Sequence, residues 1–409
     1  AFGPVVGWIG GWAVAVSAIM VLANVGEVTG KYFWLLLGNE EFASNRVVVV
    51  ITSVIFMAIM TFVSTVGVQI GERMQMILMT IQIVAMVAFG VLALWHALDG
   101  SNTGSIAFDW QWFNPAELGS WSGFMEAVLL ALFIYWGWDT CLALNEETKN
   151  PRKTPGRAAI STIVILIVLY VGISVAVMMF AGFGDTGFGL TNEANLDDVF
   201  SVLGGVLFGP WGWFLLLGVM LSAASSTQTT ILPTARGTLS MAVYRALPAK
   251  FAELHPKFKT PWFSTTVMGV AAIVYYVAMS ILSEDMLADS LTSMGLAVAL
   301  YYAITSFACV WYFRDTLRGS ARNLWMRGIL PGLGGLMLAY AFIQSAIDMI
   351  NVDYSYTVIF GIGGAFVIGV GAILFGFVLM GIWWLRPNSK VYFRGESLNR
   401  DTPVLVPDE

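Results

Sequence analysis

Long uncharged stretches separated by short polar connections dominate the chain up to about residue 385. Each stretch is long enough to cross a bilayer core of about 30 Å. The predicted spans are 1–26, with its helix continuing to about Leu37, then 47–71, 74–95, 122–144, 158–183, 211–232, 261–282, 290–313, 328–347 and 354–385. Gly209-Pro210 separates the sixth span from a short surface helix before it. The pattern predicts an all-α integral membrane protein with about ten transmembrane helices.

Composition supports this class. Of the 409 residues, 58% are hydrophobic and 11% are charged, whereas a soluble chain carries about 25% charged residues. Cys141 and Cys309 lie inside apolar stretches, so a disulfide framework is not indicated. No group of His and Cys has metal-ligand spacing, and His96 and His255 fall outside the predicted spans. We therefore expect one membrane domain, residues 1–385, and a short polar tail, residues 386–409.

Lysine and arginine fall on alternate connections between the spans. Only Lys31 and Arg46, of 20 basic residues, lie in the other set of connections. Basic residues are enriched in cytoplasmic loops. The distribution predicts a multi-pass protein of the cytoplasmic (cell) membrane with both termini of this chain in the cytoplasm. The regular alternation also supports the count of ten spans, because one missed helix would disrupt it.

The fourth span is interrupted by Trp136-Gly137-Trp138-Asp139. A carboxylate at that depth costs at least about 2.5 kcal/mol, and unwound backbone is tolerated there only where it is buried in protein or lines a cavity. Many secondary transporters bind their ligands at broken helices. Gly137 allows unusual backbone geometry, and the two indoles offer faces for a ligand or a cationic amine. The alternative is a helix that ends here, with both indoles packed against lipid or neighbouring helices.

A second polar stretch lies in the sixth span, where small and hydroxyl residues fill positions 221–230. Small residues allow membrane helices to pack closely. In the second interpretation, the hydroxyl groups of Ser225, Ser226 or Thr227 face a polar cavity or an ion. The sequence alone leaves both interpretations open.

Other charged positions near span ends have simpler interpretations. Glu27 and Lys31 are four residues apart near the end of the first span, a spacing that predicts an ion pair on one helix face. Glu126 and Asp348 lie close to the ends of their spans. We expect both to be exposed at the membrane interface.

Several of these stretches resemble the amino acid–polyamine–organocation (APC) permease superfamily. Residues 136–139, W-G-W-D, and residues 145–158, N-E-E-T-K-N-P-R-K-T-P-G-R-A, are similar to its broken sixth helix and the loop that follows. Residues 3–12 are similar to the start of its third helix, and residues 235–251 to the exit from its eighth. The loop departs slightly from the family pattern, with Pro155-Gly156-Arg157 where Pro-Arg is common. The resemblance covers about residues 3–385.

This resemblance implies an inverted-repeat transporter fold in which the ten spans correspond to family helices three to twelve, the first two being absent from this chain. It implies a secondary active transporter that moves amino acids or related amines by alternating access, with the bilayer as its surroundings and no nucleic-acid partner. Substrate would contact the break residues Ile134, Tyr135, Trp136, Gly137, Trp138 and Asp139.

The same resemblance implies no catalytic residue, no bound metal and no cofactor. A coupling ion, where there is one, would be Na⁺ or H⁺, and Ser225, Ser226 and Gln82 are the candidates to serve it. Gln82 stands where some family members carry a coupling lysine, so coupling through such a lysine is not expected. Family helix one, which resembles the carboxylate-binding half of the site, would be missing.

Four alternatives compete with this interpretation. A polyamine or organic-cation exchanger of the same fold and an inactive truncated permease both stay open. A channel would place a polar or charged ring across several spans, whereas only one strongly polar break is present. A membrane-embedded enzyme would require intramembrane His, paired Asp or a metal-ligand set, and the sequence has none.

Overall fold

The computed structural model describes residues 1–66, 68–100, 102–117, 119–145, 148–196 and 198–397. Glu146 and Glu147 of the loop motif, and residues 398–409 of the predicted tail, lie outside the described residues.

The described residues form α-helices, several short 3-10 helices, a π-helical segment at Leu324–Ile329 and one short hairpin. Up to the break, the helices are α1 (Pro4–Leu36), α2 (Glu40–Ser44), α3 (Arg46–Val66), α4 (Val68–Asp99) and α5 (Trp121–Ile134). After it they are α6 (Thr140–Ala143), α7 (Thr154–Ala181), α8 (Glu193–Leu196), α9 (Val199–Phe208), α10 (Gly212–Val243), α11 (Trp262–Leu282), α12 (Glu284–Phe313), α13 (Ala321–Asn323), α14 (Leu330–Asp348), α15 (Gly364–Trp384) and α16 (Lys390–Phe393). Strands β1 (Val358–Ile359) and β2 (Ile362–Gly363) pair antiparallel between α14 and α15.

Within these ranges, nine helical segments are long and apolar enough to cross a membrane. The remaining predicted span is the interrupted one, which the structure divides into α5 and α6. The prediction of an all-α membrane protein with a broken helix is thereby confirmed. The short surface helix predicted before Gly209-Pro210 is α9.

Several predicted boundaries were wrong. The second span was expected to end at residue 71 and the third to begin at residue 74, but α3 ends at Val66 and α4 begins at Val68. The sixth span was expected to end near Leu232, but α10 continues to Val243. Its polar side chains bond to the helix itself, because Thr234 donates to the Thr230 carbonyl at 2.8 Å and Arg236 to the Leu232 carbonyl at 3.1 Å. The last span was expected from residue 354, but α15 begins only at Gly364, after the hairpin.

Helix α1 lies at the centre of the bundle and contacts α3, α10, α11, α12 and α15. Its buried positions include many small residues, such as Ala13, Ala18 and Ala23, which let neighbouring helices approach closely. Two indoles add directional bonds. Trp8 Nε1 donates to the Ala246 carbonyl at 3.0 Å, and Trp12 Nε1 donates to the Ala372 carbonyl at 2.9 Å. This helix therefore holds elements that are far apart in the chain.

The bundle has two distinct ends. We call the end where α1 begins and α15 ends the basic end, because its connections carry most of the lysines and arginines. There the Tyr392 hydroxyl donates to the Pro4 carbonyl at 2.8 Å, and burial raises the pKa of Tyr392 to about 12. This hydroxyl therefore stays protonated at neutral pH and fastens the first part of the predicted tail to α1.

At the opposite end, a buried carboxylate holds the segment before the hairpin. Asp289 of α12 is fully buried and accepts hydrogen bonds from the Tyr356 amide at 2.8 Å and the Thr357 amide at 2.9 Å. The Thr357 hydroxyl donates to the same carboxylate. The packing leaves no room for a Cβ at Gly364, which lies against Thr357 and Asp289. These contacts explain why the backbone here forms a turn and a hairpin rather than an earlier start of α15.

We expect Asp289→Ala to lower the free energy of unfolding by on the order of 3 kcal/mol, because three hydrogen-bond donors lose their buried acceptor. Thermal unfolding of the purified protein in detergent measures the effect. Asp285→Ala is the matched control, since Asp285 is an exposed carboxylate in the first turn of the same helix. Equal losses of stability in the two variants would contradict this role for Asp289.

Candidate functional site

The backbone unwinds between α5, which ends at Ile134, and α6, which begins at Thr140. Gly137 lies in this break with φ of 106°, a conformation that side-chain-bearing residues rarely adopt. In the part of the chain that the structure describes, no backbone amide donates to the carbonyl oxygens of Ile134, Tyr135 or Trp136. The break therefore presents acceptors that an unbroken helix would have paired.

One tyrosine from another span connects the two sides of the break. Trp136 Nε1 donates to the hydroxyl oxygen of Tyr301. The Tyr301 hydroxyl in turn donates to Asp139 Oδ2 at 3.2 Å. Tyr301 belongs to α12 and is only 5% exposed. An indole, a phenol and a carboxylate thus form one chain of hydrogen bonds, and a low-dielectric surrounding strengthens such a chain.

Both indoles of the break are engaged by protein side chains. Trp136 packs against residues of α1, including Ala13, Ala15 and Val16. Trp138 stacks on Tyr302, with ring centroids 6.0 Å apart and planes 23° apart. The faces that the sequence suggested as ligand walls are therefore partly covered by neighbouring helices.

The segment after the break is fastened to the start of α7. The Cys141 thiol lies 3.2 Å from the Trp138 carbonyl and 3.4 Å from the Pro155 carbonyl. On the other side, the Tyr135 ring meets that of Tyr170 of α7 edge-on, with centroids 5.2 Å apart. Helix α7 thus borders the break on both sides of Gly137.

A second polar cluster joins α4 to α10. Gln75 Nε2 donates to the Ser225 carbonyl at 3.0 Å and to Gln228 Oε1 at 2.9 Å, and the Ser225 hydroxyl donates to Gln75 Oε1. Gln228 is fully buried. The Ser225 hydroxyl therefore takes part in helix packing, whereas its neighbour Ser226 is half-buried.

Gln82 lies seven residues after Gln75 on α4, a spacing that puts both on one helix face. Its Oε1 is buried and has no hydrogen-bond partner among the described residues. The Gln82 backbone lies beside Gly218 of α10, whose missing side chain allows the close approach of the two helices. Gln82 thus offers an unpaired, uncharged acceptor inside the protein.

The structure brings residues 134–139 together in one cluster and places Ser225 and Gln82 at the contact of α4 with α10. Helix α6 also packs against α10. Sequence reasoning missed Tyr301, Gln75 and Gln228. Adjacent tyrosines inside the span 290–313 and glutamines inside the span 74–95 were the available signals, because hydrogen-bonding side chains are unusual at membrane depth.

Two further expectations concern charged side chains and metals. The Glu27–Lys31 ion pair stays a prediction. Over the described ranges, no group of three or more His, Cys, Asp and Glu is placed to hold a metal ion.

Comparison with known proteins identifies a family. A family model described as amino acid permease matches residues 1–367. The serine/threonine exchanger SteT of Bacillus subtilis is 24% identical over 330 residues, which cover 78% of this chain and 68% of that protein. An uncharacterized transporter of Mycobacterium tuberculosis is 26% identical over 376 residues, covering 90% of this chain and 73% of the relative.

A third relative is the branched-chain amino acid permease BcaP of Bacillus subtilis, which is 26% identical over 220 residues, covering 53% of this chain and 43% of that permease. These relatives are transporters and not enzymes. The matches confirm the resemblance that was drawn from the W-G-W-D break and the loop after it.

Gly137→Ala tests whether the break depends on its left-handed residue. We expect it to lower the free energy of unfolding by about 1 kcal/mol or more, because alanine is strained at φ of 106°. Gly172→Ala within α7 is the control. A Cβ has open space at both glycines, but only Gly137 has a positive φ. Similar stabilities of the two variants, measured by thermal unfolding, would argue against strain at the break.

Comparison of Ser225→Ala with Ser226→Ala tests whether the Ser225 hydroxyl stabilises the contact between α4 and α10. Ser225→Ala leaves Gln75 Oε1 without its donor, so we expect a loss of about 1 kcal/mol, as for hydrogen bonds between membrane helices. Ser226→Ala is expected to change stability little. A double-mutant cycle with Gln75→Met, measured by unfolding in detergent, isolates the pair. Equal effects of the two serine variants, or no coupling between Ser225 and Gln75, would contradict the assignment.

Proposed function

Because the chain belongs to the amino acid permease family, we propose that it moves an amino acid or a related amine across the cytoplasmic membrane by alternating access, with the substrate ammonium group held at the helix break. The basic end of the bundle faces the cytoplasm in this proposal, as expected from the positive-inside rule.

The unpaired carbonyls at the break support the proposal most directly. An unsatisfied backbone group in hydrocarbon costs several kcal/mol. An ammonium group carries three N–H donors and no acceptor. The carbonyl oxygens of Ile134, Tyr135 and Trp136 are acceptors without a backbone donor in the described ranges. A bound ammonium group would satisfy them, so substrate and protein complete each other's hydrogen bonding.

Asp139 and Tyr301 would act as positioning residues. The carboxylate adds negative charge beside the carbonyls and thereby favours a cationic group. The Tyr301 hydroxyl donates to Asp139 and accepts from the Trp136 indole. It would therefore keep the unwound segment in one conformation, and it would link that conformation to the position of α12. No proton transfer to substrate is required of Asp139.

Residues at the contact of α4 with α10 would couple substrate transport to an ion. Gln82 offers an uncharged acceptor with no partner in the described part of the chain, and Ser225 and Ser226 supply further oxygen atoms. These residues suit Na⁺ or a proton-linked rearrangement. Exchange of one amine for another is the second candidate. It is favoured by the similarity to a protein named as a serine/threonine exchanger.

Uptake by proteoliposomes tests the function. The protein is purified and reconstituted, and uptake of a panel of labelled amino acids and polyamines is measured. We expect saturable uptake of one class. Trp136→Ala should abolish it, because this change removes the indole that packs on α1 and bonds to Tyr301. A folded protein that transports and binds no member of the panel would refute the proposal.

Tyr301→Phe and Asp139→Asn test the hydrogen-bonded chain at the break. We expect the ratio of maximal uptake rate to KM to fall about tenfold in each variant. One hydrogen bond to a charged group is worth roughly 1.5–3 kcal/mol. Tyr312→Phe is the control, since Tyr312 lies on the same helix but is exposed. Unchanged transport in Tyr301→Phe would remove this residue from the site.

A further inference from the structure

A cavity of about 230 Å³ lies between α5, α12 and α14, at the end of the bundle opposite the basic end. Tyr354, from the segment that precedes the hairpin, also lines it. This volume far exceeds the roughly 10–15 Å³ that a single water requires. Among the described residues that line the cavity there is no lysine and no arginine.

Two carboxylates face this cavity, Glu126 from α5 and Asp348 from α14. The sequence suggested that both are exposed at the interface, and Glu126 is exposed while Asp348 is half-buried. Asp348 Oδ1 accepts a hydrogen bond from Gln344 at 2.9 Å. Its Oδ2 is buried and has no partner in the described part of the chain. A buried anionic oxygen without a partner is destabilising, so this atom is suited to a bound donor.

Ser345 provides an independent indication of a ligand. It lines the cavity and is only 4% exposed, yet its hydroxyl has no hydrogen-bond partner among the described residues. A serine in a helix commonly donates to the carbonyl four residues earlier, as Ser17 and Ser64 do here. Ser345 lies three residues before Asp348 and therefore on the same helix face.

Apart from the hydroxyl residues Ser122 and Thr292, the rest of the lining is apolar or aromatic. Leu129 and Met349 are both 4% exposed, and Phe133 and Leu291 lie beside them. These apolar side chains can pack against a hydrocarbon group. Aromatic rings near carboxylates also favour an organic cation. The lining therefore matches a molecule with a cationic head and an apolar body.

We propose that this cavity is a second binding site, which takes a primary ammonium group on a small apolar body. The three N–H donors of the ammonium group bind Asp348 Oδ2, the Ser345 hydroxyl and the Glu126 carboxylate. The apolar body lies against Leu129 and Met349. Either a free alkylamine or the headgroup of an aminophospholipid supplies this chemistry. The site is separate from the helix break and does not depend on the transport proposed above.

Calorimetric titration tests the site on the purified protein in phosphatidylcholine nanodiscs. The probe is n-butylamine, and n-butanol is its neutral counterpart. We expect saturable binding of the amine and none of the alcohol. Asp348→Asn should weaken amine binding by about tenfold or more, because it removes a charge-assisted hydrogen bond. Asp353→Asn is the matched control, since Asp353 is an exposed carboxylate in the next loop that does not line the cavity.

A second variant guards against misfolding of Asp348→Asn. Ser345→Leu fills the cavity with an apolar side chain, and we expect it to abolish amine binding. Amine binding that Asp348→Asn and Ser345→Leu reduce, and that Asp353→Asn does not, is binding in this cavity. Equal binding of amine and alcohol, or full affinity in both Asp348→Asn and Ser345→Leu, would overturn the proposal.

The lipid composition distinguishes the two sources of the ammonium group. Weaker apparent binding of n-butylamine in nanodiscs that contain phosphatidylethanolamine would show that the lipid headgroup occupies the cavity. Equal binding in both kinds of nanodisc would assign the site to a soluble amine.

Discussion

Hydrocarbon offers no hydrogen-bond partner to a backbone amide or carbonyl, and a protein that interrupts a membrane helix must satisfy those groups from elsewhere. Here the interruption at residues 134–139 is surrounded by α1, α7, α10 and α12. The small residues of α1 allow that close packing. In the part of the chain that the structure describes, the carbonyl oxygens of Ile134, Tyr135 and Trp136 accept no backbone amide. One constraint thus accounts for both the position of the break and its chemical character.

Several tyrosine side chains join distant parts of this fold. Tyr301 of α12 donates to Asp139 in the break, and Tyr32 of α1 donates to Asp198 at the start of α9. Tyr392 of α16 donates to the Pro4 carbonyl at the start of α1. A tyrosine combines an apolar ring that packs in a core with a hydroxyl that finds a polar partner. Such a residue can cross an apolar interior and still deliver one directed hydrogen bond, so it sets relative helix positions without burying a charge.

The sequence predicted features that local composition determines. Span positions followed from hydrophobic length, and the break followed from the W-G-W-D string. Contacts across the fold could not be predicted, since Tyr301 and Asp139 are 162 residues apart in sequence. The sequence did not predict the end of α10. Thr234 and Arg236 donate hydrogen bonds to backbone carbonyls of the same helix, and a hydropathy pattern does not detect such bonds. The cavity was missed because Glu126 and Asp348 are ordinary interfacial carboxylates until α5 and α14 are packed together.

Helix α5 connects the two candidate sites physically. It has 14 residues, so it is roughly 21 Å long, and residues lining the cavity extend along it from Ser122 to Phe133. Phe133 also accepts the hydrogen bond of the Trp136 amide in the break. A ligand in the cavity and a substrate at the break would therefore both bear on the position of one short helix. If the cavity ligand changes the affinity for substrate by some factor, substrate must change the affinity for the cavity ligand by the same factor. The two sites would influence each other only to the extent that α5 has two positions and each ligand prefers one of them.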